Sequence, residues 1–209
     1  EYNIDAKGDA TTQKIGIGSN AFLTAKRFLV DAHILYDDLA KNVRINPSRL
    51  LLHKAAFELA GNYSFKEKSL IDITCEGKNT DIQTLLSLLP ESMVQRFSKY
   101  ESDGDIYFNL LVKGEISDRK EPYITAKFGC ANTSLFHPDF QSRIENANLD
   151  GSFASSSLND LRHAVLFLKN MRGELNQRHF QADFSIQNFE DPKVTLAFKG
   201  DLEAQSLLG

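Results

Sequence analysis

Period-two alternation of apolar and polar residues constrains this chain more than any other feature. From Ile106 the even positions read Ile106, Phe108, Leu110, Val112, Gly114 and Ile116, while Asp105, Asn109, Lys113 and Glu115 fall between them. From Val194 the evens are Val194, Leu196, Phe198, Gly200 and Leu202, and the odds are Thr195, Ala197, Lys199, Asp201 and Glu203. The same period runs through Phe28–Tyr36, Phe57–Phe65, Ile71–Cys75, Ile124–Cys130, Val165 with Phe167, and Phe180–Ile186. Side chains of a strand alternate between faces, so each run carries one apolar and one polar face. Strands of that kind belong to antiparallel sheets with one wet side. One stretch follows helical spacing instead: Ile82, Leu85, Leu86, Leu89, Met93 and Phe97 predict one or two short helices near 81–99, separated at Pro90. Thr80 followed by Gln83 has the form of a capping box for the first of them.

Glycine punctuates the alternation. IDAKGDA (4–10), FELAGNY (57–63), ITCEGKN (73–79), LLVKGEI (110–116), ANLDGSF (147–153), KNMRGEL (169–175) and LAFKGDL (196–202) each place glycine in phase with the apolar residues. A strand glycine weakens the strand and marks a bend, a bulge or a close approach. Seven of them predict a sheet bent at repeated points. The plain alternative is that they relieve crowding within an ordinary sandwich.

With 209 residues, 42% hydrophobic and 25% charged, the chain has globular composition, and its polar loops at 117–121 and 154–160 are too short to separate domains. We read 1–209 as one continuous β-rich fragment. It begins at Glu1 rather than Met, which suggests a piece of a longer protein. Its longest apolar cluster, Leu85 to Leu89, is far short of a membrane span. Lysine and arginine number 24 against 28 acids, with no basic stripe, so nucleic acid is not an expected partner. Two cysteines exclude a disulfide scaffold. Cys75 and Cys130 both lie in strand-like runs, and two free buried thiols are favoured over a bridge.

Catalytic chemistry finds no support. The five histidines have no metal-ligand spacing, and His33, His163 and His179 fall in strand runs, where they read as surface residues. GIGSN (16–20) lacks a following helix and a phosphate-binding lysine, and reads as a turn. Asp37–Asp38 and Glu190–Asp191 also read as turns. We expect no enzyme activity, no cofactor and no metal.

Five segments in order carry a family resemblance: TDIQTLLSLLPESM (80–93), GDIYFNLLVKGEI (104–116), PYITAKFGCANTSL (122–135), RIENANLDGSF (143–153) and ADFSIQNFEDPKVTLAFKGDLE (182–203). Together they resemble the periplasmic region of AsmA family proteins of the Bacteroidetes type, relatives of TamB-like β-groove proteins. Asn188, Phe189, Pro192, Gly200 and Leu202 match the ending of that pattern. The resemblance implies a mainly β fold, a strongly curved antiparallel sheet folded like a taco, with an apolar inner groove. It further implies phospholipid or acyl chains as ligands, a periplasmic location, and tethering to the inner membrane by an anchor outside this fragment. The associated role is phospholipid movement toward the outer membrane and outer-membrane homeostasis. The residues expected to line the groove are Phe108, Leu110, Val112, Phe128, Phe184, Ile186, Leu196 and Phe198. The rival expectation is a closed β-sandwich scaffold that supports outer-membrane assembly. Lipid identity, transport direction and oligomeric state stay open at this point.

Overall fold

The computed structural model describes the chain apart from residues 14, 18–19, 23, 54, 87–98, 100, 118, 138–141, 158–159 and 201–209, and apart from the side chains of 15–17, 20–22, 79, 85–86, 137 and 142. Strands are β1 (Tyr2–Thr11), β2 (Ile15–Ile17), β3 (Asn20–Phe22), β4 (Arg27–Asp37), β5 (Asn42–Leu52), β6 (Ala55–Phe65), β7 (Ser69–Thr80), β8 (Glu101–Ile116), β9 (Tyr123–His137), β10 (Ser142–Ser155), β11 (Val165–Leu175), β12 (Arg178–Gln187) and β13 (Lys193–Gly200). Eleven of them form one antiparallel sheet in the order β1-β4-β5-β6-β7-β8-β9-β10-β11-β12-β13. It is a simple meander, each strand turning back beside its predecessor, with the β2–β3 hairpin inserted between β1 and β4. The sheet is curved and does not close into a barrel, because β1 and β13 pair on one side only.

The second sheet that a closed sandwich requires is not found among the described residues; outside the large sheet the named strands pair only as the short β2–β3 hairpin. The central residues of the GIGSN segment lie outside the described residues. Accessible surface shows the consequence. The chain exposes 13791 Å², whereas a compact monomer of its mass exposes about 9,800 Å². Buried hydrophobic residues gather in two small clusters, with Ile124, Ala164 and Ala182 buried apart from them. Phe28, Leu52, Ala55 and Phe57 form one; Ile106, Cys130 and Ala147 form the other, joined by Ile82 from the short α-helix α1 (Ile82–Leu86).

Curvature has a visible origin. Register shifts interrupt the ladders of β4–β5, β5–β6, β7–β8, β8–β9, β9–β10, β10–β11 and β11–β12. A bulge bends its strand and raises the local twist. The glycines do two jobs. Adding a Cβ at Gly77 would bring it 2.2 Å from the Phe108 ring, and at Gly151 2.2 Å from the Phe128 ring, so these two glycines seat aromatic rings. At Gly61 the same atom would meet the Asp72 carbonyl at 2.1 Å, so that glycine permits a close approach of backbones.

Several local expectations need correction. The cap of α1 is Asp81, not Thr80: its Oδ1 accepts the Thr84 N–H at 2.7 Å and its Oδ2 the Thr84 hydroxyl at 3.1 Å. A carboxylate one residue later takes the place of the threonine hydroxyl. The second helix expected over 91–99 lies outside the described residues, except for the turn at Lys99. In β11 the apolar-face residues are Leu166 and Leu168, not Val165 and Phe167, since Leu168 stands opposite Gly151 and Phe184. Phe167 therefore lies on the polar face, with the Lys169 ammonium 5.4 Å from its ring centre. His163 sits in a single helical turn (Leu161–His163) rather than in a strand. It is exposed, as are His33 and His179.

Candidate functional site: an apolar trough

Pairing registers assemble the alternating residues into rows that run across the strands. Gly8, Val30, Leu50, Phe57, Gly77, Phe108, Phe128, Gly151, Leu168, Phe184 and Leu196 stand opposite one another in turn, one from each of the eleven strands. At about 4.8 Å between strands, this row is about 48 Å long. A second row on the same face reads Ser48, Leu59, Cys75, Leu110, Ala126, Phe153, Leu166, Ile186 and Val194. A third reads Ile4, Ile34, Ile45, Gly61, Ile73, Val112, Ile124 and Ser155. None of the three rows contains a charged residue.

All eight expected lining residues lie on this face. Phe108, Phe128, Phe184 and Leu196 share the first row, Leu110 and Ile186 the second, and Val112 the third. Phe198 stands opposite Ala182, and its ring stacks at 6.2 Å on Phe180. Six of the eight are half-buried; Leu196 and Phe198, on β13, are 61% and 42% exposed. Half-burial in mid-strand is the mark of a surface with neighbours at its sides and nothing on top. In the first row Phe57 is the side chain that is fully buried, at 3% exposure, because the Phe108 ring leans across Gly77 to within 5.7 Å of it.

Sequence reading left out half of the trough. Val30, Leu50 and Phe57 continue the first row toward β1, and Tyr2, Tyr36, Tyr63 and Phe65 form a chain of stacked rings 6.1–6.3 Å apart along one rim. The alternation of Phe57–Phe65 and Phe28–Tyr36 carried that signal. Part of the opposite half is lidded. Asn188 and Phe189 donate their N–H groups to Ala164 and Leu161, the Asn188 side chain holds the turn by accepting from Glu190 and Asp191, and the Phe189 ring meets Phe153 edge-on at 6.2 Å. Ala164 beneath it is fully buried.

The opposite face of the sheet is a ladder of polar and charged residues. Lys7, Asp31, Arg49, Glu58, Glu76, Asn109 and Lys127 stand in line, with Lys7 on Asp31 at 2.9 Å and Asn109 on Glu76 at 2.6 Å. Tyr107 reaches over Gly129 and donates to Asp150 at 2.9 Å; Asn170 donates to the other oxygen of the same carboxylate. These two donors hold Asp150 below the usual carboxylate range, and the Tyr107 hydroxyl is raised by burial and by that carboxylate.

Both cysteines are free and face the trough, Cys75 half-buried and Cys130 buried. Burial pushes the Cys75 thiol up to about 11 and raises Cys130 as well, so neither is an activated nucleophile. Among the described residues no group of three or more His, Cys, Asp or Glu is placed to hold a metal ion. His33 pairs instead with Asp5 at 2.6 Å on the polar face. No described helix is long and apolar enough to cross a membrane. What the arrangement offers chemically is a long, uncharged, half-wet apolar surface beside a charged one. No protein-family model matches the chain, and no match is found among curated proteins or solved structures.

Proposed function

We propose that this chain handles lipid without catalysis: its apolar trough shelters phospholipid acyl chains while their headgroups stay in water. The observation that carries this reading is the first apolar row, unbroken across eleven strands, over which the described residues lay no second sheet. Each methylene moved from water onto such a surface gains about 0.8 kcal/mol when fully buried. A soluble monomer rarely leaves an apolar patch of this length bare without a use for it. Burial and dispersion are non-directional, so the trough is suited to a class of chains rather than to one lipid. On the AsmA-like segments we further propose that the chain works in the periplasm of a diderm cell, as part of an inner-membrane-tethered protein that moves phospholipid toward the outer membrane.

Two measurements test it. Mass spectrometry of an organic extract of the purified protein should find phospholipid or fatty acid. A fluorescent acyl probe should be taken up by the wild type and lost in Phe108→Asp and Phe184→Asp, with the far-UV spectrum of both variants kept. Retained uptake in folded variants refutes the trough as the binding surface. Variants that only unfold favour a structural role for the same face.

A further inference from the structure

The third apolar row changes in burial along its length. On β4 to β8 its side chains Ile34, Ile45, Ile73 and Val112 are half-buried. On β9 and β10 Ile124 and Ser155 are buried, at 7% and 1% exposure. All these strands have a neighbour on each side, so backbone pairing does not account for the difference. The change falls where the chain leaves β10. Ser155 Oγ accepts the Ser157 N–H at 3.3 Å, and Ser157 Oγ donates to Glu121 Oε2 at 2.6 Å, just ahead of β9. Further on, the Leu161 and Ala164 carbonyls accept the Phe189 and Asn188 N–H groups at 3.1 and 3.0 Å. Segments 155–157, 160–164 and 188–189 form a frame at the ends of β9 to β12, and Ala164 within it is fully buried.

Phe189 is the exposed part of this frame. Its ring meets Phe153 of the second row edge-on at 6.2 Å, yet 36% of the residue stays in water. Its backbone is fixed from both sides. Its own N–H is bonded to Leu161, and the side chain of Asn188, at a φ of 61°, accepts the Glu190 and Asp191 N–H groups. The ring turns about its own side-chain torsions without breaking any of these bonds. We propose that Phe189 is a gate: its ring rests on Phe153 where a second acyl chain would lie, and a two-chain lipid displaces it. The inference rests on the lipid-handling reading of the trough.

Displacement is easy on both sides of the contact. Burial and dispersion are non-directional, so methylenes cover the Phe153 ring as well as an aromatic edge does. Phe189 is already partly wet, so swinging outward gives up little burial of its own. A partly exposed ring changes rotamer within nanoseconds, which makes the gate an equilibrium device and not a slow step. With the ring in place, the half-buried first row, Phe128, Leu168 and Phe184, is free to take one chain beside the frame. With the ring out, Phe153 of the second row is uncovered and two chains lie side by side. The apparent affinity for the second chain falls with the fraction of time the gate is shut. On β4 to β8 all three rows stay half-buried or exposed around Leu50, Leu59 and Ile45, so the gate discriminates between one-chain and two-chain lipids at the β10–β12 end alone.

The sequence holds no tryptophan, so Phe189→Trp places a single indole at the gate. The probes are a short-chain diacyl phosphatidylcholine and a single-chain lysophosphatidylcholine, each below its micelle concentration. The diacyl lipid should make the indole more accessible to iodide quenching, and the single-chain lipid should leave it as it is. In calorimetric titration Phe189→Ser should bind the diacyl lipid roughly two- to tenfold more tightly than wild type, the fold-change that an edge-on ring pair is worth. Its affinity for the single-chain lipid and its circular dichroism spectrum should not change. A diacyl lipid that binds and leaves the indole unmoved or shields it overturns the gate while the trough still carries lipid, as does Phe189→Ser binding the diacyl lipid no more tightly. A lower Tm with weaker binding of both lipids makes Phe189 a structural ring and also overturns the gate. If neither lipid binds wild type or Phe189→Ser, the lipid reading fails and the gate with it.

Discussion

Gly77 and Phe108 form a pair in which a missing side chain makes room for a large one, and the pair tests how tightly the trough is packed. Gly77→Ala would press a methyl group into the Phe108 ring, which then leaves Phe57. We expect about 1–3 kcal/mol lost in urea titration, as for other overpacked sites. Phe108→Leu in the same chain should recover much of it, giving a coupling energy in a double-mutant cycle. Gly61→Ala should cost more, and Phe108→Leu should not rescue it. There the obstacle is the Asp72 backbone, and the residue sits at a φ of 150°. Cys75 gives a pH test on the same face. Its folded pKa of about 11 exceeds the usual thiol value of about 8.5. Burial disfavours the thiolate, so the folded state holds its proton more tightly. That contribution is fully present below the unfolded pKa and is lost as pH rises from about 8.5 toward 11. The urea midpoint of the wild type should therefore fall more steeply across that window than that of Cys75→Ala; parallel curves would show a thiol not buried as described.

At the scale of strands, bulges decide what was legible. Strands with an uninterrupted period, such as β12 and β13, were readable in phase from end to end. β5 was not, because its apolar residues change parity at Asn46–Pro47: Val43 and Ile45 face the trough, then Ser48, Leu50 and Leu52 do. β11 changes parity at Lys169–Asn170, which is why a phase through Val165 and Phe167 looked plausible from sequence and is wrong. Each shift inserts a residue that local hydropathy cannot distinguish from an exposed strand position. Asparagine is the signal that was available. Asn132, Asn146 and Asn170 sit at φ of 50°, 52° and 54° within β9, β10 and β11. Asparagine tolerates that left-handed backbone, and β-branched residues do not. Asn132, whose side chain is exposed, isolates the effect. Asn132→Gly should change stability by less than about 0.5 kcal/mol, and Asn132→Val should cost about 1–3 kcal/mol. Equal effects in urea titration would mean that this bulge is not a fixed feature of the strand.

The described strands form one large layer of sheet with only a short hairpin beside it, and its energetics differ from those of a two-layer domain. Side-by-side pairing satisfies the interior backbone, but the apolar rows keep much of their contact with water, as the excess of accessible surface shows. Sequence could disclose that each strand had a dry face; it could not disclose whether protein or ligand dries it, because that depends on how far the strands curl and on whether a second layer exists. On the proposed lipid-handling reading, an acyl chain lying along Phe108, Phe128, Leu168 and Phe184 would supply a second layer, so ligand and stability would be linked. A ligand that binds only the folded state at one hundred times its Kd adds about 2.7 kcal/mol. For a chain of this size that corresponds to a rise in Tm of about 5–10 °C. A single-chain lysophospholipid, kept below its micelle concentration, should produce that rise by differential scanning calorimetry. Phe108→Asp combined with Phe184→Asp should abolish it, whereas Thr195→Asp, on the polar side of β13, should leave it intact. A Tm unmoved by the lipid would mean that the bare rows are not an acyl surface, and one moved equally in all three proteins would mean that the lipid binds elsewhere.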